Sequence, residues 1–395
     1  MISQEMLRLG RQSSVIRAIS EYGAKRKKEI GAENVFDFSL GNPSIPAPAA
    51  VRDTIVELCE TLDPCKLHGY TSSAGNMEVR EVIAESVRTR FHAPCEAGLI
   101  YMTCGAAASL TVALHALINP GEEVVVPSPF FPEYRVFAEK AGATLVDVPC
   151  HQPSFALNLE AMEKAISPKT KVVLLNSPNN PTGAVYSEES LSALADLLRK
   201  KEKEFGTEIY LLTDEPYREL YYGEGTVPWI PNLYERCLVG YSYSKSLSLP
   251  GERIGYLLVS PRCPNAQDVF AAVCGAGRSL GFVCAPSLWQ LVVGKLNGLT
   301  SDVEEYRKNK DLLSSALSEI GYVITPPEGA FYLFVKSPEE DAYAFAERAK
   351  KYELLLVPAD SFGVKGFVRL AYCVSRETIE KSIPAFRALM EEYKK

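Results

Sequence analysis

Between Leu99 and Ser260, short apolar runs alternate with longer stretches in which apolar residues return every three or four positions. The runs are Leu99–Thr103, Glu123–Pro127, Thr144–Val148, Lys171–Asn176, Ile209–Thr213, Leu238–Tyr241 and Gly255–Val259. Most are near-continuously apolar, the pattern of strands covered on both faces. Helical spacing predicts helices over Ala106–Ile118, Pro132–Ala141, Leu159–Ile166 and Ser187–Phe205. Asn119-Pro120-Gly121 stops one of them, and Ser187 followed by Glu188 and Glu189 opens another. This rhythm predicts an α/β fold, a mostly parallel sheet covered by helices on both faces.

After about residue 290 the pattern changes. Asp302–Ile320, Ala342–Tyr352 and Thr378–Tyr393 read as helices, while Phe331–Val335, Leu354–Val357 and Phe367–Tyr372 read as extended. That predicts a smaller α+β domain. A chain of 395 residues also exceeds what one core usually supports. The expected division is a large domain over 45–290 and a small domain built from 1–44 together with 291–395. No repeat and no low-complexity linker interrupts the chain, so the two should pack closely.

Composition narrows the function classes. A hydrophobic share of 47% and a charged share of 23% are globular values, and the net charge of -7 comes from interspersed acids and bases. A nucleic-acid surface needs a clustered basic patch, which this balance argues against. The basic run Lys25-Arg26-Lys27-Lys28 lies in an amphipathic stretch with Ile16, Ile19 and Tyr22 and reads as a solvated helix face. No stretch reaches the ~18 apolar residues of a membrane helix. Met1 to Arg11 lacks the apolar centre of a signal peptide, so a cytoplasmic protein is expected. The ten cysteines then face a reducing compartment, and none forms a Cys-x-x-Cys pair. The four histidines do not fall at metal-ligand spacing, so no metal site is expected. Cys104 reads as a small buried strand residue, because no His or Asp signature accompanies it as a nucleophile.

In open parallel sheets, ligands bind beyond the carboxyl ends of the strands. The polar residues that follow the apolar runs are Gly105 to Ala107, Phe131, Asn176 with Asn180, Asp214 with Tyr217, and Ser242 to Lys245. Five strand ends should therefore converge on one cleft. Asp214 places a carboxylate at the rim of a buried sheet, where it needs a cation partner or is neutralised. Lys245 brings an amine to a neighbouring strand end, and Arg253 follows eight residues on. A lysine able to lose its proton, a carboxylate with no local cation and an arginine near serine hydroxyls suit an aldehyde cofactor with a ring nitrogen and a phosphate.

Several segments look like those of the class I and II aminotransferases, fold type I of the pyridoxal-phosphate enzymes. They are Asn176-Ser177-Pro178-Asn179-Asn180-Pro181-Thr182-Gly183, Thr213-Asp214-Glu215-Pro216-Tyr217, Ser242-Tyr243-Ser244-Lys245, Glu252-Arg253-Ile254-Gly255 and Phe367-Val368-Arg369-Leu370. They occur in the family's order and span about Gly41 to Arg369.

The resemblance implies a role for each. Lys245 would carry pyridoxal 5'-phosphate as a Schiff base and then move a proton as the catalytic base. Asp214 would pair with the ring nitrogen and keep it protonated. Tyr217 and Asn180 would hydrogen-bond the phenolic oxygen, and Phe131 would stack on the ring, its alternative being a plain core aromatic. The phosphate would sit at the helix start after Gly105, where free amides favour anions. Here the chain departs from the family: Ala106-Ala107-Ala108 stand where relatives often supply a hydroxyl or a lysine. Backbone amides of Ala106 and Ala107, with Ser242, Ser244 and Arg253, must then hold the phosphate. Tyr70 resembles the tyrosine that relatives extend across a dimer interface to the phosphate, which implies a homodimer.

Arg369 would bind the substrate α-carboxylate, a task suited to a planar fork of donors. Gly41 would approach the same carboxylate with its backbone, which the absence of a side chain permits. Arg278 lies where dicarboxylate-specific relatives place an arginine that reaches a distal carboxylate from the neighbouring subunit. Its other reading is a surface or interface arginine. The implied reaction is transfer of an amino group between an L-amino acid and a 2-oxo acid, of aspartate type if Arg278 takes that role. The same fold and residues also serve carbon–sulfur lyases or synthases, the competing reading. Transcription regulators built on this fold need a DNA-binding module, and only about forty residues precede Gly41.

Overall fold

The computed structural model describes residues 2–11 and 14–394. The strands are β1 (Phe36–Asp37), β2 (Ile100–Thr103), β3 (Glu123–Ser128), β4 (Thr144–Pro149), β5 (Thr170–Asn176), β6 (Tyr210–Asp214) and β7 (Cys237–Ser242). They continue as β8 (Gly255–Val259), β9 (Val323–Thr325), β10 (Tyr332–Lys336), β11 (Leu354–Leu355), β12 (Val357–Pro358) and β13 (Phe367–Ala371). The α-helices of the first half are α1 (Gln4–Arg11), α2 (Val15–Ile30), α3 (Ala49–Thr61), α4 (Pro64–His68), α5 (Met77–Phe91), α6 (Ala106–Leu117), α7 (Glu133–Lys140) and α8 (Leu159–Ala165). Those of the second half are α9 (Glu188–Phe205), α10 (Tyr243–Ser246), α11 (Ala266–Ser279), α12 (Ser287–Lys295), α13 (Val303–Ile320), α14 (Ala342–Ala349) and α15 (Arg376–Glu391).

Seven strands form one sheet in the order β2-β8-β7-β6-β5-β3-β4. Pairing is parallel from β4 through β7, and β8 is antiparallel to both neighbours. Successive residues of each strand enter opposite cores. Val125, Val173, Leu211 and Val239 pack with α5, α9 and α12, while Val124, Val172, Leu212 and Leu238 pack with α6, α7 and α11. Period-two exposure to two apolar layers is why these strands read as continuous runs. The order reverses at β3, with β4 on one side and β5 on the other, the kind of switch point where open α/β sheets bind ligands.

A second, antiparallel sheet, β12-β13-β10-β9, packs with α13, α14 and α15 around Phe331, Leu333, Leu370 and Phe386. The expected single run Leu354–Val357 is divided. Leu354–Leu355 pairs in parallel with β1, and Val357–Pro358 pairs with β13, so the chain changes partner at Leu356. The predicted helix Ala342–Tyr352 ends at Ala349 and finishes as a 3-10 turn over Lys350–Tyr352. Cys104 lies just past β2 and is half-buried, so it is not a strand residue. The basic run on α2 is more than a solvated face: Arg26 bonds Glu353 at 2.6 Å and Lys27 bonds Asp37 at 2.7 Å. These pairs fasten α2 beside the β1–β11 ribbon. Among the described residues, no helix is long and apolar enough to cross a membrane.

Candidate active site

The carboxyl ends of the parallel strands border a cavity of about 290 Å³ whose lining includes Asp214, Tyr217, Lys245, Arg253, Arg369 and Phe131. Because β8 runs against its neighbours, its amino end lies at this edge, and Arg253, two residues before it, arrives there too.

Lys245 sits in α10, a single turn begun by Ser242, whose hydroxyl accepts from the Ser244 amide at 3.2 Å. Its Nζ donates to the Gly41 carbonyl at 2.6 Å and faces the Phe331 ring at 5.3 Å. No carboxylate pairs with it among the described residues. Desolvation pulls its ammonium down to about 8, opposed by Cys373 and reinforced by Arg253 and Arg369. A lysine in this state is readily available as a neutral amine.

Asp214 ends β6 and is buried. Its Oδ2 accepts from the Tyr134 hydroxyl at 2.6 Å, and its Oδ1 is buried without a partner. Burial pushes the carboxyl up to about 7, the Tyr134 hydrogen bond pulls it down, and Glu215 adds to the rise. The predicted cation partner is absent from the chain's own described residues. Asn176 Nδ2 fixes the Asp214 carbonyl at 2.8 Å, and its Oδ1 accepts from the Asn180 amide at 2.7 Å.

Arg369, on β13, is buried and makes no ion pair among the described residues. Nη1 donates to Asn180 Oδ1 at 3.0 Å and Nη2 to the Ser39 carbonyl at 2.6 Å, while Nε has no partner. The guanidinium lies over the rings of Tyr332 at 4.5 Å and Phe362 at 5.2 Å. Burial lowers its proton affinity from the ordinary arginine value.

The third corner is the start of α6. Gly105 precedes it at φ 84°, and a Cβ there would meet Arg253 Nη2 at 2.8 Å. The helix's first carbonyl bond runs from the Ser109 amide to Gly105. The amides of Ala106 and Ala107 are therefore not spent inside the helix. Ser242 and Ser244 hydroxyls share a 2.8 Å hydrogen bond, and Arg253 Nη1 reaches Ser244 Oγ at 3.4 Å. Two donor sets and one guanidinium thus face a space to which the described residues bring no anion.

Phe131 borders the cavity and meets Tyr134 edge-on at 5.6 Å. The cavity brings together Gly41, Ala106, Ala107, Phe131, Asn180, Asp214, Tyr217, Ser242, Ser244, Lys245, Arg253 and Arg369, with Gly105 behind Ala106 against Arg253. The structure does not bring Tyr70 or Arg278 into the same cavity. Tyr70 is 92% exposed and Arg278 is exposed at the end of α11.

Sequence reasoning missed two residues. Tyr134 follows Phe131 by one helical turn, so the segment that delivers Phe131 to the cavity also delivers the Asp214 partner. Tyr332, inside the run Phe331–Val335, resembled a core aromatic, yet its hydroxyl meets that of Tyr217 at 2.9 Å. Strand alternation alone does not separate a cavity-facing tyrosine from a packed one.

The profile of the family described as aminotransferase class I and II matches residues 33–386. The chain is 49% identical to an aminotransferase of solved structure from Eubacterium rectale, which superposes with a TM-score of 0.98 over 100% of both chains. A solved aspartate aminotransferase from Thermotoga maritima is 29% identical with a TM-score of 0.87, covering 99% of this chain and 100% of its own. An aspartate/prephenate aminotransferase from Thermus thermophilus is 32% identical over 81% of this chain and 83% of its own length. With that match and this arrangement of Lys245, Asp214 and Arg369, the chain belongs to the class I and II aminotransferase family.

Proposed function

We propose that this aminotransferase carries pyridoxal 5'-phosphate as a Schiff base on Lys245 and works in the cavity between the two sheets. One observation carries the reading: three groups bordering a single cavity each lack the partner that this cofactor or its substrate would bring. They are Asp214 Oδ1, Arg369 Nε and the Arg253–Ala106 corner. A cationic ring nitrogen, a substrate carboxylate and a phosphate complete them in turn. When bound, the cofactor supplies an electron sink for charge left at the substrate's α-carbon.

Every other task falls to the chain. Asp214 holds a proton on the ring nitrogen, and Tyr134 holds Asp214. Tyr217 and Asn180, which line the cavity with Phe131, would hydrogen-bond the phenolic oxygen, and Phe131 would cover the ring. Arg253, Ser242, Ser244 and the amides of Ala106 and Ala107 grip the phosphate around Gly105. Arg369 forks onto the α-carboxylate beside Gly41. Lys245 Nζ, already held at the Gly41 carbonyl, takes and returns the α-proton.

We further infer a cytoplasmic homodimer in which Tyr70 and Arg278 complete the partner's cavity, and in which 45–290 and 1–44 with 291–395 form the two domains. An aspartate-type donor follows if Arg278 does so. Borohydride reduction of the loaded protein, then peptide mapping, should fix a pyridoxyl group on Lys245. An adduct on a different lysine refutes the assignment. In the loaded protein before reduction, release of a 2-oxo acid without ammonia separates amino transfer from lyase activity.

A further inference from the structure

We propose that Tyr332 is a positioning residue that joins the two ends of the site, setting the hydroxyl of Tyr217 with its own hydroxyl and the guanidinium of Arg369 with its ring. The inference rests on the assignment of the cavity to pyridoxal phosphate.

The position follows from the small sheet. Tyr332 opposes Ala371 across the β10–β13 pair, and Phe334 opposes Arg369. Tyr332 and Arg369 are therefore diagonal neighbours on one face, within reach of long side chains. The guanidinium lies 4.5 Å from the Tyr332 ring centroid. A cation over an aromatic face is held by the ring's quadrupole, and more firmly where water is excluded, as it is for buried Arg369.

The hydroxyl does a second task. It meets the Tyr217 hydroxyl at 2.9 Å, and either oxygen can be the donor. A Cβ on Gly41 would overlap the same hydroxyl. Tyr332 Oη therefore occupies the space over the glycine whose carbonyl receives Lys245 Nζ. If Tyr217 is to donate its proton to the cofactor's phenolic oxygen, it needs a donor of its own to complete its hydrogen bonds, and Tyr332 is that donor. Burial keeps the Tyr332 phenol protonated, raised to about 12 against the pull of Arg369. A phenol that stays protonated serves as a donor throughout the physiological range.

The two functions separate by substitution. Tyr332→Phe removes the hydroxyl and keeps the ring; Tyr332→Leu removes both. In the loaded protein, the pH titration of the bound cofactor's absorbance reads the hydroxyl's effect. Tyr332→Phe should move the midpoint upward by about half to one pH unit, the scale of one hydrogen bond. In a Tyr217→Phe background the same change should move it by much less, because the effect passes through Tyr217. If the wild-type midpoint lies outside the stable range, cofactor affinity measured by fluorescence gives the same comparison, with Tyr332→Phe weaker by about three- to tenfold only when Tyr217 is present. Affinity for a carboxylate substrate analogue reads the ring: nearly unchanged in Tyr332→Phe and about three- to thirtyfold weaker in Tyr332→Leu. Should Tyr332→Leu fail to fold, the Phe variant in both backgrounds still decides. An unmoved midpoint and affinity in Tyr332→Phe, or an equal shift with and without Tyr217, overturns the proposal. A wild-type protein that takes up no pyridoxal phosphate overturns the cofactor assignment instead.

Discussion

Replacing Asp214 with asparagine should stabilise the cofactor-free protein at neutral pH while depriving the site of its acid. The carboxyl is buried with Oδ1 unpartnered, and that burial lifts it to about 7. In the unfolded chain an aspartate titrates near ~3.9. Between those values the folded state binds the extra proton, so stability is greatest in acid and falls as pH rises toward 7. Taking about 1.36 kcal/mol per unit, the loss between pH 5 and pH 8 is roughly 2.5 kcal/mol from this group alone. Asp214→Asn removes that decline. The amide leaves an unmade hydrogen bond of ~1–3 kcal/mol, but this is the same at every pH and shifts the curve without tilting it. The assay is unfolding free energy of both cofactor-free proteins across that range. Titrating groups remote from Asp214 are common to the pair and cancel. The difference between the two curves should grow by about 2.5 kcal/mol toward pH 8. Parallel curves would refute the reasoning, showing that Asp214 is solvated or paired in the folded protein.

Three further outcomes follow. Arg369→Ala removes a buried fork of donors, and binding of every amino donor should weaken by ~2–5 kcal/mol, read by single-turnover titration over a donor panel; a loss confined to one donor would assign Arg369 to a side chain. Gly105→Ala places a Cβ at φ 84° and ψ 176° against Arg253, in a region that costs a side chain ~1–3 kcal/mol; displacing Arg253 should weaken cofactor affinity by about tenfold, the scale of one charge-assisted hydrogen bond, while pyridoxal lacking the phosphate binds as before. Arg278→Leu should lower preference for aspartate over alanine and phenylalanine by about 10-fold or more, the scale of one charge-assisted contact; equal change for all three donors would make Arg278 structural.

The large sheet was legible because both of its faces are buried, so apolar runs mark strands without needing alternation. The helices before residue 99 were less so: α5 buries Arg80 alongside Val79 and Ile83, and a buried arginine blurs an apolar stripe. The division of Leu354–Val357 between two sheets depends on partners far along the chain, which local pattern does not name. Within the site, strand-end polar residues announced themselves, since a charge closing an apolar run is costly unless used. Arg253 was found by its motif, yet its placement depends on β8 running backwards, a fact of topology. Tyr134 and Tyr332 were hidden because a tyrosine among apolar neighbours is ordinary in a core, and only their hydroxyl partners distinguish them.

The fastening of α2 ties part of the cavity's lining to the β1–β11 ribbon. Ile16, near one end of the helix, borders the cavity, while Arg26 and Lys27 near the other end are clamped to Glu353 and Asp37. At 1.5 Å of rise per residue, about 15 Å of helix separates Ile16 from the Arg26 pair. The helix is therefore a strut, tied to the β1–β11 ribbon near one end and packed through Ile16 and Ile19 against the Phe334–Leu355 core near the other, so that ribbon and cavity wall keep one spacing.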